Sequence, residues 1–192
     1  MADCTELILA GISLNCDDIN AAIGVDKDLI LVNYSDFDRT STLAAANIEA
    51  DNTNGNIGGL SSIILNTGAI QYTFEGTDYS IQPSISSELK EDGNSMYVHT
   101  ILFTSYSKSS ASRNTLIALG NSRVVAITRE RSTGLYELFG ANIGLKISGL
   151  ERAYVGAQTS NFYQVTIATP DVAVIRETSM GLLSLFNIVT NP

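Results

Sequence analysis

The sequence has no tryptophan, one histidine, two cysteines and three prolines among its 192 residues. A lone imidazole, His99, leaves no second histidine for a common metal cage, and Cys4 and Cys16 lack zinc-ligand spacing. His99 falls mid-strand among aromatic and aliphatic neighbours, a packed histidine rather than a catalytic base. No apolar run approaches the roughly 20 residues that span a bilayer as a helix. The opening stretch MADCTELILAGISLNCDD has no basic residues ahead of its apolar ones, so a cleaved signal peptide is not expected. Synthesis in a cytoplasm without export is the simplest reading, and it makes both cysteines reduced thiols. Charge is scarce as well, at 16% of residues against 44% hydrophobic. Surface poor in charge is often surface that meets a partner.

Cations are scarcest of all in the first half. Residues 1–100 hold 15 acids and 3 bases, whereas residues 101–192 hold 5 acids and 8 bases, for a net charge of −9 over the chain. So few cations cannot neutralise many phosphates, which argues against a nucleic-acid-binding surface. Two readings of the split stand: acidic loops gathered at one end, or unlike surfaces that associate head to tail into rings or filaments.

Signatures of catalysis are missing too. No serine sits in a G-x-S-x-G elbow, and Gly58-Gly59 is not followed by the Lys-Ser/Thr of a phosphate-binding loop. The segment Asp51-Asn52-Thr53-Asn54-Gly55-Asn56 has Thr53 and Gly55 where a calcium loop needs oxygen-rich side chains, and no Glu at the twelfth place. Asp17, Asp18, Asp26, Asp28, Asp36 and Asp38 form a cation site only if folding gathers them; a solvated acidic surface is the plainer reading. Nothing fixes two particular acids at a glycosidase distance. The expectation is a protein that is not an enzyme, with no cofactor, no metal and no catalytic residue.

What the chain does contain is strand patterning, densest between residues 95 and 148. A long strand is predicted from Ser95 to Tyr106, with Val98, Thr100 and Leu102 on one face and Tyr97, His99, Ile101 and Phe103 on the other. Both faces are half apolar, so a neighbouring strand is expected on each side. A helix follows from a Ser109 or Ser110 cap to Gly120, burying Leu116, Ile117 and Leu119. Two strands around Ser132-Thr133-Gly134 come next, and Gly140 and Gly144 bracket a tight connection into Leu145-x-Ile147.

Outside this nucleus, residues 1–26 read as an arm, and Lys27 to Tyr34 as the first strand. Residues 35–61 make a long polar connection, in which Thr40 to Glu49 fits either a short helix or a hairpin leg. A hairpin is predicted around Thr67-Gly68 from Ser62–Asn66 and Ile70–Glu75, then strands at Tyr79–Gln82 and Ile85–Lys90. Phe162 to Thr169 is a strong strand and Val172 to Arg176 a short one. The apolar tail 180–192 fits either a last core strand or an arm on a neighbouring subunit. The sum is a single mainly β domain over 1–192, an antiparallel β-sandwich or barrel with one short flanking α-helix.

The order of these elements resembles phage tail-tube proteins, more narrowly virion structural proteins of phages that infect Bacteroidetes-type bacteria. The resemblance lies in MYVHTILFT, ASRNTLIALG, RVVAITRER, GLYELFG, GLKIS and NFYQVTIATPD, with Cys16, Ile23-Gly24-Val25-Asp26-Lys27 and Val32-Asn33-Tyr34 before them. It covers about two-thirds of the chain. It implies copies that form hexameric rings stacked into a tube, with sheets of adjacent subunits lining a lumen through which DNA passes without specific binding.

The partners so implied are the chain itself and other tail proteins, with no membrane, in a virion assembled in the host bacterial cytoplasm. The arm, the 35–61 loop, the tail and two strand arginines become candidate contacts within or between rings: Asp38, Arg39, Leu43, Ile48, Ile57, Arg129, Arg131, Leu182, Leu185 and Phe186. Which acids face the lumen is not specified. Alternatives are a neck, tail-terminator or capsid-decorating protein, or a carbohydrate- or host-binding sandwich using Tyr72, Tyr79, Tyr97 and Tyr106, against which the missing tryptophan counts.

Overall fold

A computed structural model describes residues 24–46, 63–89, 95–107, 109–131, 134, 136–154, 162–170, 182–184 and 188–190, without the side chains of 43–46, 89, 95, 153, 182–184 and 188–190. Its strands are β1 (Asp28–Asn33), β2 (Ile63–Leu65), β3 (Gln71–Glu75), β4 (Ile81–Leu89), β5 (Ser95–Ser105), β6 (Val124–Arg129), β7 (Tyr136–Phe139), β8 (Lys146–Ala153), β9 (Phe162–Ala168), β10 (Leu182–Ser184) and β11 (Ile188–Thr190). The helices are α1 (Arg39–Ala46) and α2 (Ser110–Asn121). A 3-10 turn at Tyr34–Asp36 follows β1.

The strands form two antiparallel sheets, with a short parallel pair beside them. The central sheet has the order β10-β7-β6-β1-β3, the outer sheet β4-β5-β9-β8, and β11 pairs in parallel with β2. The mainly β sandwich expected from the sequence is the architecture found. Alternation along β5 and β9 turns Ile101, Phe103, Val165 and Ile167 inward, where they meet Leu29, Leu31, Ala126 and Phe139 of the central sheet. The opposite face of the central sheet, carrying Val32, Val125, Ile127 and Leu138, is covered by Phe37, Ile63 and Leu65. The middle of the central sheet is therefore buried on both faces, and Val124 to Thr128 of β6 show no exposed residue, whereas its marginal strand β3 is largely exposed. Such a strand reads as a continuous apolar run rather than an alternating one.

β5 has a neighbour on each side, β4 and β9, as its two half-apolar faces predict. α2 begins at Ser109, whose hydroxyl accepts from the Ser112 amide, and it buries Leu116 and Leu119. Ile117 does not join them and is 57% exposed. The helix also runs through Gly120 to Asn121 and is capped by Ser122, not ended by the glycine. β6 and β7 form the predicted hairpin. The connection after it needs its two glycines. Both have left-handed φ (78° and 71°), a Cβ on Gly140 would stand 2.7 Å from Leu145 Cγ, and one on Gly144 2.5 Å from Arg123 Cγ.

Four expectations change. The predicted hairpin around Thr67-Gly68 is not one, because β2 pairs with β11 and β3 with β1. The two strands read at Tyr79–Gln82 and Ile85–Lys90 are the single strand β4, and Pro83 does not interrupt it. β4 lies at a sheet margin, where an amide missing from the outward side costs no ladder bond. The 40–49 stretch is helical over Arg39–Ala46, so two helices flank the sheets rather than one. The tail contributes two strands, and both pair within their own chain. The predicted strand at 172–176 and the arm over 1–23 lie outside the described residues.

Candidate functional site

The residues expected to make contacts between copies fall into three groups. Asp38 caps α1, its carboxylate accepting from the Ser41 amide at 3.0 Å and the Ser41 hydroxyl at 2.7 Å. Arg39 donates to Asn142 Oδ1 at 2.8 Å. Asp38 thus fixes the start of α1, and Arg39 holds the root of the long loop against the sandwich. Thr42 completes that anchor: its buried hydroxyl accepts from the Ile64 amide at 2.9 Å and donates to the Ile64 carbonyl at 3.3 Å, standing in for a strand beside β2. Leu43 and Leu182 lie in α1 and β10 without described side chains, and Ile48, Ile57, Leu185 and Phe186 lie outside the described residues.

Arg129 and Arg131 form the third group, and their ion pairs are internal. Arg129 Nη1 lies 3.2 Å from Asp26 Oδ2, and Arg131 reaches Asp26 at 3.7 Å and Asp78 at 2.5 Å. The Asp78 hydrogen bond raises the Arg131 pKa above its ordinary value. The Arg131 guanidinium also covers the Tyr79 ring at 5.6 Å. The two arginines thus fasten the residues before β1 and the turn between β3 and β4 to the end of β6.

The acids considered as a cation site do not converge. Asp26 serves the arginines, Asp36 accepts from Asn33 and Ser35, and Asp38 caps a helix. Asp28 faces Glu75 across the β1–β3 ladder, and Asp17 and Asp18 are outside the described residues. Among the described residues no group of three or more metal-ligating side chains occurs. His99 is buried, its Nδ1 accepting from the Gly140 amide at 3.1 Å and its ring edge-on to Phe139. An imidazole nitrogen that accepts an amide hydrogen is unprotonated, so His99 is neutral here and ties β5 to the end of β7. The four tyrosines proposed as a sugar platform lie on different elements. Tyr72 lines a groove against α2, Tyr79 sits under Arg131, Tyr97 points inward on β5, and Tyr106 packs edge-on to Phe162.

Two features at opposite margins of the outer sheet were not singled out from the sequence. Beside the start of β4 is a cleft of about 370 Å³, lined by Gly24, Val25, Tyr79, Ile81, Gln82, Pro83, Glu130 and Glu137. Glu137 alternates with buried Phe139 on the sandwich-facing side of β7, and burial, with Glu130 beside it, raises its pKa. No cation pairs with Glu137 among the described residues. Thr128, directly cross-strand from Glu137, buries a hydroxyl without a hydrogen-bond partner among the described residues.

At the other margin, on β8, the Arg152 guanidinium lies over Tyr154 at 4.7 Å and Tyr163 at 5.3 Å. Arg113 of α2 donates to the Tyr163 hydroxyl at 3.3 Å. Two carboxylates, from β7 and the end of β6, thus border the cleft beside β4, and a guanidinium with no carboxylate partner among the described residues stands at the β8 margin. A signal for the first existed: in Tyr136-Glu137-Leu138-Phe139, strand alternation puts a carboxylate in the row of a core phenylalanine.

No protein-family model, curated protein or solved structure matches the chain. Among the described residues the fold is a mainly β sandwich with two helices, whose outer sheet ends in two long marginal strands, β4 beside the carboxylate-bordered cleft and β8 carrying Arg152. No helix among the described residues is long and apolar enough to cross a membrane.

Proposed function

We propose that this chain is a phage virion structural protein, a tail-tube subunit whose copies close into rings and stack around a DNA-conducting lumen. The observation that carries this reading is the outer sheet. Its marginal strands, β4 with nine residues and β8 with eight, each pair with one described strand only. Every pairing in β4-β5-β9-β8 is antiparallel, so β4 and β8 run in opposite directions. β8 of one copy then meets β4 of the next as another antiparallel pair, and repetition about an axis closes the sheet into a barrel without margins.

The face of this sheet turned away from the core suits a passage for DNA. Its middle presents Ser84, Ser86, Thr100, Thr104, Gln164 and Thr166, uncharged groups that bind no phosphate strongly, while Glu88, Lys146 and Glu151 stand on its marginal strands. A margin left open on a lone subunit is an aggregation hazard, which ring closure removes. Negative-stain electron microscopy of the purified protein at high concentration tests the reading. Tubes or closed rings are expected; a chain that stays monomeric at every concentration overturns it.

A further inference from the structure

We propose that the cleft bordered by Glu130 and Glu137 receives Arg152 of a neighbouring copy, and that this charge pairing sets the register in which β8 of one subunit joins β4 of the next. The pairing presupposes the edge-to-edge assembly proposed above and specifies its partner residues.

The ladder rows give the level at which the two margins meet. Arg152 is opposite Tyr163, and Tyr163 is opposite Ser105. On the other side of β5, Ile81 is opposite Phe103, and the Thr104 amide bonds the Ser80 carbonyl. The row of Arg152 therefore continues across the sheet to Tyr79, which lines the cleft. Face agrees with level. Arg152 shares the side of the sheet occupied by Tyr163 and Val165, the sandwich side, and Ile81 and Pro83 of the cleft lie on that same side. Lys146, the other cation of β8, is opposite Ala168 on the outward face and level with Ser84, so it cannot enter.

Chemistry agrees as well. A guanidinium is a planar, permanently charged fork suited to carboxylates in a confined site. Arg152 is held over two tyrosine rings and has no carboxylate partner among the described residues. Glu137 has no cation partner among the described residues, and the Arg129 and Arg131 guanidiniums pair with Asp26 and Asp78. The burial that disfavours the charged form of Glu137 in the lone subunit becomes an advantage once a cation enters, because a half-buried pair is less screened than an exposed one. The head-to-tail sense follows, since a cleft bordered by carboxylates does not pair with itself.

Sedimentation velocity of the full chain at low salt tests this, with Arg152→Glu, Glu137→Lys, the double variant and Ser87→Pro. Pro83 shows which amides of β4 face outward, and Ser87 shares its parity, so proline there blocks the margin while sparing the ladder to β5. Each single charge reversal is expected to weaken assembly about tenfold or more, and the double variant to restore most of that loss. Thermal melts of each variant confirm a folded subunit. If Arg152→Glu assembles like the parent while Ser87→Pro does not, the arginine pairing is overturned and edge-to-edge assembly stands. If Ser87→Pro also assembles normally, or the parent never assembles, both are overturned.

Discussion

The two sheets of this molecule are built from similar apolar strands but are finished differently. The middle of the central sheet is covered on both faces, by the outer sheet on one side and by Phe37, Ile63 and Leu65 on the other. The outer sheet buries one face, presents hydroxyls and amides on the other, and ends in two strands that each have one described neighbour. Apolar burial is the main source of folding free energy, so the residues buried between and behind the sheets hold most of the stability, while the outward face of the outer sheet contributes little. Under the proposed assembly, the outer sheet supplies the surface that meets other copies. Substitutions at buried positions and on the outward face of the outer sheet should therefore separate folding from the proposed assembly.

The largest effect belongs to the central sheet. Ile127→Ala, at a position fully buried among Val32, Val125 and Leu138, should cost about 2–5 kcal/mol in chemical denaturation. Thr100→Ala, on the outward face of β5, should stay within about 0.5 kcal/mol. Comparable losses at both positions would break the comparison. A middle-sized effect is expected where the covering layer is tied down. Thr42→Val keeps the shape but removes the hydroxyl that accepts from the Ile64 amide, and should cost about 1–3 kcal/mol. A loss confined to the β2 amides in hydrogen exchange would sharpen it, showing that the layer opens apart from the sandwich.

The smallest effect has the opposite sign. Burial raises the pKa of Glu137 in the folded chain, so the folded form binds this proton more tightly than the unfolded one does. Stability from this group is complete below the ordinary carboxylate range and is lost as pH rises through the raised value. Glu137→Gln should therefore melt slightly above the parent at neutral pH, by under about 1 kcal/mol, with the gain vanishing in acid. The same variant should assemble less well. A substitution that strengthens the subunit and weakens the assembly is difficult to explain for a residue that serves the fold alone.

Much of the frame was legible in the sequence because its signals are local. Alternation along β5, the Ser109 cap and the positive-φ glycines after β7 act within a few residues. What escaped was decided by distant parts of the chain. A turn at Thr67-Gly68 forms, with Gly68 at φ 79°, yet the strands beside it join different partners, β2 the distant β11 and β3 the earlier β1. Pro83 split β4 on paper since sequence does not show which strand will be marginal. Arg129 and Arg131 were read as contacts between copies, whereas their partners Asp26 and Asp78 come from the same chain, brought to them by β1 and by the β3–β4 turn. The acidic cleft joins residues from four segments, and only the alternation around Glu137 pointed to it.

The parallel pairing of β11 with β2 has a consequence for how the molecule is made. Residues 63–65 leave the ribosome long before residues 188–190 exist, yet each is the other's partner. Contacts so far apart in sequence are slow to find, since the intervening chain must first be closed into a loop. The β4-β5-β9-β8 sheet needs nothing beyond Ala168 and can form earlier. An edge able to join a neighbour thus matures before the layer that seals the back of the central sheet. Subunits that meet early, on a crowded message or at high expression, would do so with that layer unfinished.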